Sequence, residues 1–312
     1  MTRPYVLDTK RLPIAIGYKN EGYIADLVMP YFPVDAEQFD WNLYSPEQYY
    51  EIRDTRISRT GVADMIEFAS TVQTSRVFDE ALDGMVPVTD REYAPAGIDP
   101  ASRLVEGLTE LLVLRREQRV AQTVFNAANY EAANVLTLSG GDQFNASTSD
   151  PLKVMMESLD IPLVRPNTIV FGQQTWTTVR RNPIIVEAIR GAVSGNAASQ
   201  GVINTGDLAN LLGVQNVYVG MARGNANNPG QAPSLPRLWG KSIALLHLSA
   251  LGAGQSVMPT WGWTARYSTR FVRTWFEEEK GIKGSDVYRV GEQVREIVSA
   301  PGAGFYIQNA IA

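Results

Sequence analysis

The stretch DPASRLVEGLTELLVLRREQRVAQTVFNAANYE, residues 99–131, decides the fold of this 312-residue chain. Its apolar side chains recur close to helical spacing from Leu104 to Val124. Asp99 and Pro100 are typical of a helix N-terminus, because aspartate caps free amides and proline fits a first turn. A helix of about 30 residues at ~1.5 Å per residue is roughly 45 Å long. The sequence therefore predicts one unusually long helix near the middle of the chain.

The centre of this helix, Arg115-Arg116-Glu117-Gln118-Arg119, consists of polar residues. A run of arginines could form a nucleic-acid patch. Glu117 and Glu131 lie on the same element, however, and oppositely charged side chains near each other on a helix form ion pairs. We therefore favour a solvated or ion-paired helix face.

The composition is that of a globular protein, with 45% apolar and 20% charged residues. There are 28 basic and 33 acidic side chains, whereas a dedicated nucleic-acid binder normally shows a basic stripe or domain. Weak contact with DNA across one face stays open. The absence of cysteine excludes disulfides, thiolate catalysis and thiolate metal sites.

Residues that usually carry enzyme chemistry are scarce in the sequence. His247 is the only histidine and lies in an apolar run, so we expect a satisfied core or sheet histidine. Neither a phosphate-binding loop nor a Gly-x-Ser-x-Gly elbow occurs. Glu277, Glu278 and Glu279 could pair for acid–base work, but consecutive acids point in alternating directions and usually lie in water. The sequence predicts no catalytic site, no cofactor and no metal site.

The sequence gives no indication of a membrane partner. No stretch reaches the roughly 20 apolar residues that cross a bilayer. The basic start, Met1–Tyr5, is not followed by the apolar region of a secretion signal. We expect a soluble protein made in a cytosol.

Residues 1–40 combine aromatic and apolar side chains with four prolines. Proline lacks an amide donor and fixes φ, so neither a long helix nor a central strand is expected. The segment is nevertheless too apolar for a solvated tail. The pattern predicts a strap that lies on another surface, either its own subunit's or a neighbour's.

The next segment is predicted to be a hairpin, with strands over 51–59 and 65–74 and a turn at Gly61. Neither strand has a strong one-sided apolar face, and an isolated hairpin is marginal in water. Two interpretations stay open: an edge hairpin folded back on its own domain, or an arm that crosses a subunit boundary.

The rest of the chain is predicted to form an α/β block and then a β-rich end. The predicted strands are 167–172, 215–221, 238–248, 267–276, 285–299 and 304–311, and the predicted helices are 173–181, 183–190 and one within 202–214 that Gly213 ends.

This order of elements resembles the capsid proteins of tailed phages, whose Hong Kong ninety-seven fold is shared with encapsulins. The stretches that carry the resemblance are Arg115–Ala121, Asn126–Tyr130, Asn167–Gly172 with Trp176, Arg181–Ile185, Leu212–Val214, Val217–Gly220, Trp239–Ser242 and Gly302–Ile307. They cover most of the chain in order, although each alone is unspecific.

The resemblance implies an α+β capsid fold. Its parts would be an N-terminal arm (1–40), an extended E-loop hairpin (41–82), a peripheral domain with the long spine helix (83–151), an axial domain (152–264) and a closing peripheral sheet (265–312).

The same resemblance implies a structural subunit that self-assembles, as hexamers and pentamers, into the icosahedral head shell of a tailed phage around double-stranded DNA. Expected partners are a separate scaffolding protein, which Met1 favours, a portal, a possible cement protein and non-specifically held DNA. The location would be the virion, after assembly in the bacterial cytoplasm. Residues 45–82 contain no lysine, so the Lys–Asn cross-link of some relatives is not expected in its familiar form.

Contacts between subunits are expected on two segments. Arginine forks suit carboxylates, so we expect the E-loop to dock on an acidic surface, with Glu67 as a reciprocal partner. The candidates are Arg53, Arg56, Arg59 and Glu67 on the E-loop and Tyr18, Tyr23, Tyr31 and Phe32 on the arm. The alternatives are an encapsulin-like compartment and a cytosolic α+β enzyme with an acidic or amide site.

Overall fold

The computed structural model describes residues 6–43, 71–190, 201–225, 230–249 and 260–312, with positions 52, 54–57, 59–63, 65 and 227. The strands are β1 Val6–Leu7, β2 Tyr31–Pro33, β3 Gln38–Leu43, β4 Thr71–Arg76, β5 Phe78–Pro87, β6 Val135–Thr137, β7 Thr168–Gly172, β8 Asn216–Gly220, β9 Ile243–Leu246, β10 Gly262–Arg266, β11 Phe271–Glu277, β12 Ser285–Val298 and β13 Gly304–Gln308. The helices are α1 Leu12–Gly17, α2 Ala25–Val28, α3 Val88–Glu92, α4 Pro100–Val124, α5 Pro151–Asp160, α6 Gln173–Val179, α7 Pro183–Arg190 and α8 Thr205–Leu212.

Three sheets organise the described residues. The largest has the order β1-β11-β12-β10-β2, and β5 pairs with the other edge of β12. Its neighbours are antiparallel except for β2, which runs parallel to β10. A second sheet has the order β6-β13-β9-β7-β8, and β3 and β4 form a separate two-stranded ribbon. The α/β block and the β-rich end are thus confirmed, with strand bounds shifted by up to five residues.

Helix α4 is the predicted long helix and lies against the six-stranded sheet. Asp99 caps it by accepting a hydrogen bond from the Ala101 amide, as expected. The helix is 25 residues long and ends at Val124, so the predicted extent of about 30 residues is wrong. Asn126 adopts an extended backbone, and its side chain accepts from the Ala128 amide to start a short 3-10 turn. This local cap competes with continuation of the helix.

The apolar core has two large parts. One lies between the five-stranded sheet and α5–α8, where β7 is buried along its whole length. The other contains Ile24 and Val28 of the N-terminal segment, the C-terminal half of α4 and Trp239. Trp239 packs directly on Gly220, where an added Cβ would lie 2.1 Å from the indole ring. This second part joins side chains of the N-terminal segment, α4 and the five-stranded sheet.

The strap, defined here as residues 6–34, lies on its own subunit. β1 pairs with β11 and β2 with β10, while α1 and α2 pack on α4. Its helices have six and four residues, which confirms that no long helix forms in this proline-rich segment.

The hairpin prediction is wrong in its pairing for the described residues, whereas residues 51, 53, 58, 64 and 66–70 lie outside them. Ile52 and residues 54–57 carry no strand, and β4 pairs instead with β3. The reason is the apolar alternation of Phe39 and Trp41, which gives β3 a face that packs near Trp263. Residues 51–59 lack such a face.

Candidate assembly surfaces

Chemistry-bearing side chains do not converge in the described part of the chain. Among those residues, no three His, Cys, Asp or Glu side chains form a metal-binding group, and no helix is long and apolar enough to span a membrane. His247 is satisfied as expected: its Nδ1 is 3.0 Å from the carbonyl oxygen of Arg165, and its amide donates to Ala303. Glu278 and Glu279 are exposed, as expected for a polar turn.

Glu117 is the buried centre of the contact between the strap and α4. Its carboxylate accepts hydrogen bonds from the amides of Ile24 at 3.1 Å and Ala25 at 2.7 Å. It also accepts from Trp239 Nε1 at 2.6 Å. Burial raises the pKa of Glu117 above its ordinary value, although these hydrogen bonds and Arg116 oppose the shift. One carboxylate therefore joins the strap, the long helix and the Trp239 loop.

Arg116 holds the following part of the strap. Its guanidinium is fully buried, pairs with Asp26 and donates to the carbonyl of Met29 at 2.8 Å. It also stacks 3.7 Å from the ring centroid of Tyr31. Burial lowers the pKa of Arg116 to about 10, so the side chain stays charged at neutral pH.

Two further charged residues anchor the strap. Arg270 donates to the carbonyl of Ala15 at 3.2 Å and pairs with the buried Glu292 at 2.9 Å. Glu110 accepts from the hydroxyl of Tyr23 at 2.6 Å and from Asn20. Charged side chains of the body thus bind both backbone groups and side chains of the strap, which satisfies polar groups that burial would otherwise leave without partners.

Sequence reasoning placed Arg116 and Glu117 on a solvated or ion-paired face, and the solvated alternative is wrong for these two. The sequence does contain a signal for their burial, because helical spacing places positions 113, 116, 117, 120 and 124 on one face. Val113, Val120 and Val124 on that face are buried. The ion-paired alternative is right for Arg116, which pairs with Asp26, and for Arg119, which lies 3.1 Å from both Glu80 and Glu296.

The four aromatic residues predicted on the arm all contact their own subunit. Tyr18 and Tyr23 lie by Glu110, whose carboxylate raises the pKa of Tyr18. Tyr31 lies under Arg116, and Phe32 packs edge-on against Trp263 at 5.4 Å. Contacts of these residues with another subunit stay a prediction.

The four charged residues predicted on the E-loop are not brought together in the described residues. Arg56 and Arg59 are exposed, and the Arg56 amide donates to Asp54 at 3.0 Å. Arg53 and Glu67 lie outside the described residues.

The described positions between 52 and 65, called the loop from here on, expose several large apolar side chains. Ile52, Val62 and Met65 are more than 90% exposed, and Ile57 is 55% exposed. Exposed apolar side chains that cluster mark interaction sites, and these four lie within 14 positions of the sequence. This loop is the strongest candidate for a surface that a second protein chain covers.

Strand β5 presents a second candidate surface. Its ten residues pair along their length with β12, and within the described residues its other edge has no strand partner. Phe78 and Met85 on this strand are more than half exposed. Such an open edge is a template for pairing with another chain unless it is covered.

Comparison with known proteins identifies the family. No family model matches the chain. The major capsid protein of Pseudomonas phage JBD67 is 36% identical over 309 residues, covering 99% of this chain and 98% of that protein. The major capsid protein of Burkholderia phage BcepMu is 25% identical over 302 residues, covering 91% and 92%.

Solved structures agree on the fold. A phage-related protein from Bordetella bronchiseptica RB50 matches with a TM-score of 0.74 at 22% identity, over 99% of this chain and 98% of that one. The capsid of cyanophage P-SCSP1u matches with a TM-score of 0.56 at 8% identity, over 89% and 85%. The predicted α+β capsid fold is confirmed. With over a third of its residues identical along nearly all of both chains, the protein belongs to the family of phage major capsid proteins.

Proposed function

We propose that this major capsid protein forms the icosahedral head shell of a tailed phage and that the shell encloses double-stranded DNA. Membership of the family makes the chain a structural head-shell subunit rather than an enzyme. Hexamers and pentamers of this one chain would make up the shell, because identical subunits that close a shell meet through repeated, symmetric contacts.

The exposed loop is the observation that carries this proposal. Ile52, Val62 and Met65 have almost no cover from the described part of their own subunit. Burial of such side chains contributes about 25 cal/mol per Å² of apolar area removed from water. A neighbouring subunit would supply that cover, as in the large interfaces of obligate assemblies.

The charged residues of the same segment are proposed to orient this contact. Arg53, Arg56, Arg59 and Glu67 would meet opposite charges on the neighbour, since complementary charge fixes register more than it adds affinity. For the arm, Tyr18, Tyr23, Tyr31 and Phe32 would brace the strap, with any contact to a neighbour made by their exposed edges.

Other partners rest on the family resemblance. We propose a separate scaffolding protein, a portal and a possible cement protein, with assembly in the cytoplasm of the bacterial host and a final location in the virion. An encapsulin-like compartment is the alternative, but the 36% identity is to a phage capsid protein and no contact of the described residues favours it.

Expression of the full chain, alone and together with the scaffolding protein of its phage, tests the proposal. Size-exclusion chromatography with electron microscopy should find closed particles of megadalton mass in at least one of the two preparations. A protein that stays a 34.3 kDa monomer, or a dimer, at high concentration and with scaffolding protein supplied would contradict shell building. Particles purified from infected cells should contain DNA; a protein cargo without DNA would favour the compartment.

A further inference from the structure

A groove runs between the exposed face of α4 and a second surface segment, residues 221–225 and 230–238. It encloses about 350 Å³. On the helix side its residues recur at intervals of three or four and so share one face. The lining residues are Leu111, Leu114, Arg115, Gln118, Gln122, Gly224, Asn225, Pro236, Arg237 and Leu238. No carboxylate is among them, although the whole chain carries a net charge of −5.

Two arginines opposite the helix are paired through their backbones: Arg237 lines the groove, and Arg223 adjoins the lining residue Gly224. Arg223 and Arg237 face one another in an isolated antiparallel bridge. Like charges directly opposite across strands are destabilising. Their guanidinium groups make only long contacts to backbone carbonyls, at 3.4 Å to Leu235 and 3.5 Å to Met221. A bound anion would relieve this repulsion.

A third arginine, Arg115, lines the groove from the helix side. Arg115 is exposed and donates to Gln118 Oε1 at 2.8 Å. Among the described residues, no carboxylate lies within 4 Å of Arg115, Arg223 or Arg237, whereas Arg116 and Arg119 on the same helix are both ion-paired. Arg115 and Arg237 in the lining, with Arg223 next to the lining residue Gly224, thus keep their charge available to an external ligand.

Three amide side chains also belong to the groove. Gln118, Gln122 and Asn225 line the groove and offer donors to phosphate oxygens. Arginine, glutamine and asparagine are typical phosphate ligands, and such contacts position a duplex without selecting its sequence. The apolar lining is shallow: Leu111 is 52% exposed and lies beside the arginines.

We propose that this groove binds the phosphate backbone of the double-stranded DNA that the shell encloses, which places the groove on the inner wall. The inference rests on the proposed function, because only a DNA-filled head presents such a ligand at high concentration. An acidic peptide from an assembly partner is less favoured: the groove contains no enclosed apolar pocket for an anchoring side chain, and three arginines with three amides match a phosphate strand.

The test is the salt dependence of DNA binding. Fluorescence anisotropy would follow a labelled 24-base-pair duplex titrated with the full chain below its assembly concentration, at several salt concentrations. Each lost phosphate contact lowers the slope of log K against log salt by about 0.9, so the triple variant Arg115→Gln, Arg223→Gln, Arg237→Gln should lose about 2.7. An unchanged slope would overturn the proposal.

A matched control uses three arginines on other surfaces. Arg103, Arg181 and Arg273 are exposed and have no carboxylate within 4 Å among the described residues. Their triple exchange to glutamine removes the same charge and should leave the slope within about 1 of the parent value. An equal loss of slope in both variants would contradict specific DNA binding in the groove. Equal melting temperatures would verify that both variants fold.

Two further measurements separate the possible failures. If poly-L-glutamate, but not the duplex, loses affinity in the groove variant, the ligand is an acidic peptide and the proposal is wrong. Closed empty shells should not bind added duplex through the groove, so shells of parent and groove variant should bind it equally. If no shells form, the proposed function fails, while the titration of the free chain still decides the groove.

Discussion

The strap and the ribbon with its loop follow each other along the chain, yet their contacts differ in kind. Glu117, Arg116 and Arg270 bind the backbone of the strap from inside the subunit. The loop between 52 and 65 instead exposes Ile52 and Met65 almost fully. Both segments resemble free arms in sequence, but of the two only the loop leaves large apolar side chains almost fully exposed in the described subunit. We therefore propose that the strap contributes to folding stability and the loop to assembly.

The largest expected effect is on the strap side of this comparison. Glu117→Ala would leave two buried amides and the indole N–H of Trp239 without an acceptor. Leaving these buried donors without an acceptor should lower the free energy of unfolding by about 3 kcal/mol. Chemical denaturation of the unassembled chain measures it. Glu106→Ala, an exposed change on the same helix, is the control and should stay within about 0.5 kcal/mol. Equal losses in the two variants would refute the anchoring role of Glu117.

A smaller effect is expected where the strap meets the start of α4. Asp99 caps the helix and pairs with Arg11 of the strap at 2.8 Å. Asp99→Ala should cost about 1 kcal/mol, because the loss of an N-cap dominates over a partly exposed ion pair. Thermal melting measures it. Asp90→Ala, at an exposed site in α3, should be nearly neutral. A neutral Asp99→Ala would show that the cap is dispensable.

The pH dependence of the strap anchor follows from the sign of one pKa shift. Burial raises the pKa of Glu117 above the ordinary 4.5, so the folded subunit holds this proton more tightly than the unfolded chain does. Its contribution to stability is therefore complete below pH 4.5 and declines as the pH rises through the raised value. Denaturation of the wild type minus that of Glu117→Gln, from pH 4 to pH 7, should show this decline. A difference that grows with pH would contradict it.

Much of the fold was predictable because its elements follow local rules. The helical spacing and the cap at Asp99 gave α4, and the turn at Gly213, with φ of +66°, ended α8 as expected. Tertiary contacts override such rules elsewhere. Arg116 and Glu117 look solvated by residue type, yet their helix face is buried by the strap.

The candidate surfaces were less predictable than the fold. Strand β3 is not predicted from the sequence, because the alternation of Phe39 and Trp41 forms a packed face only beside Trp263. The arginines of the loop are evident from the sequence. The exposure of its apolar residues is not, because it depends on which surfaces the folded subunit leaves uncovered. Contacts between subunits depend on how copies are arranged, which one sequence does not encode locally.

The measurement that tests the account most directly is particle assembly by the variant Ile52→Asp, Met65→Asp. Both side chains are exposed in the subunit, so its free energy of unfolding should stay within about 0.5 kcal/mol of the parent value. In the shell they would be covered, and buried unpaired carboxylates are costly. Electron microscopy should find folded subunits and at least a tenfold lower particle yield, with Ile282→Asp, at an exposed apolar site outside the loop, as a control that assembles normally. Normal particle yield from the double variant would contradict the account.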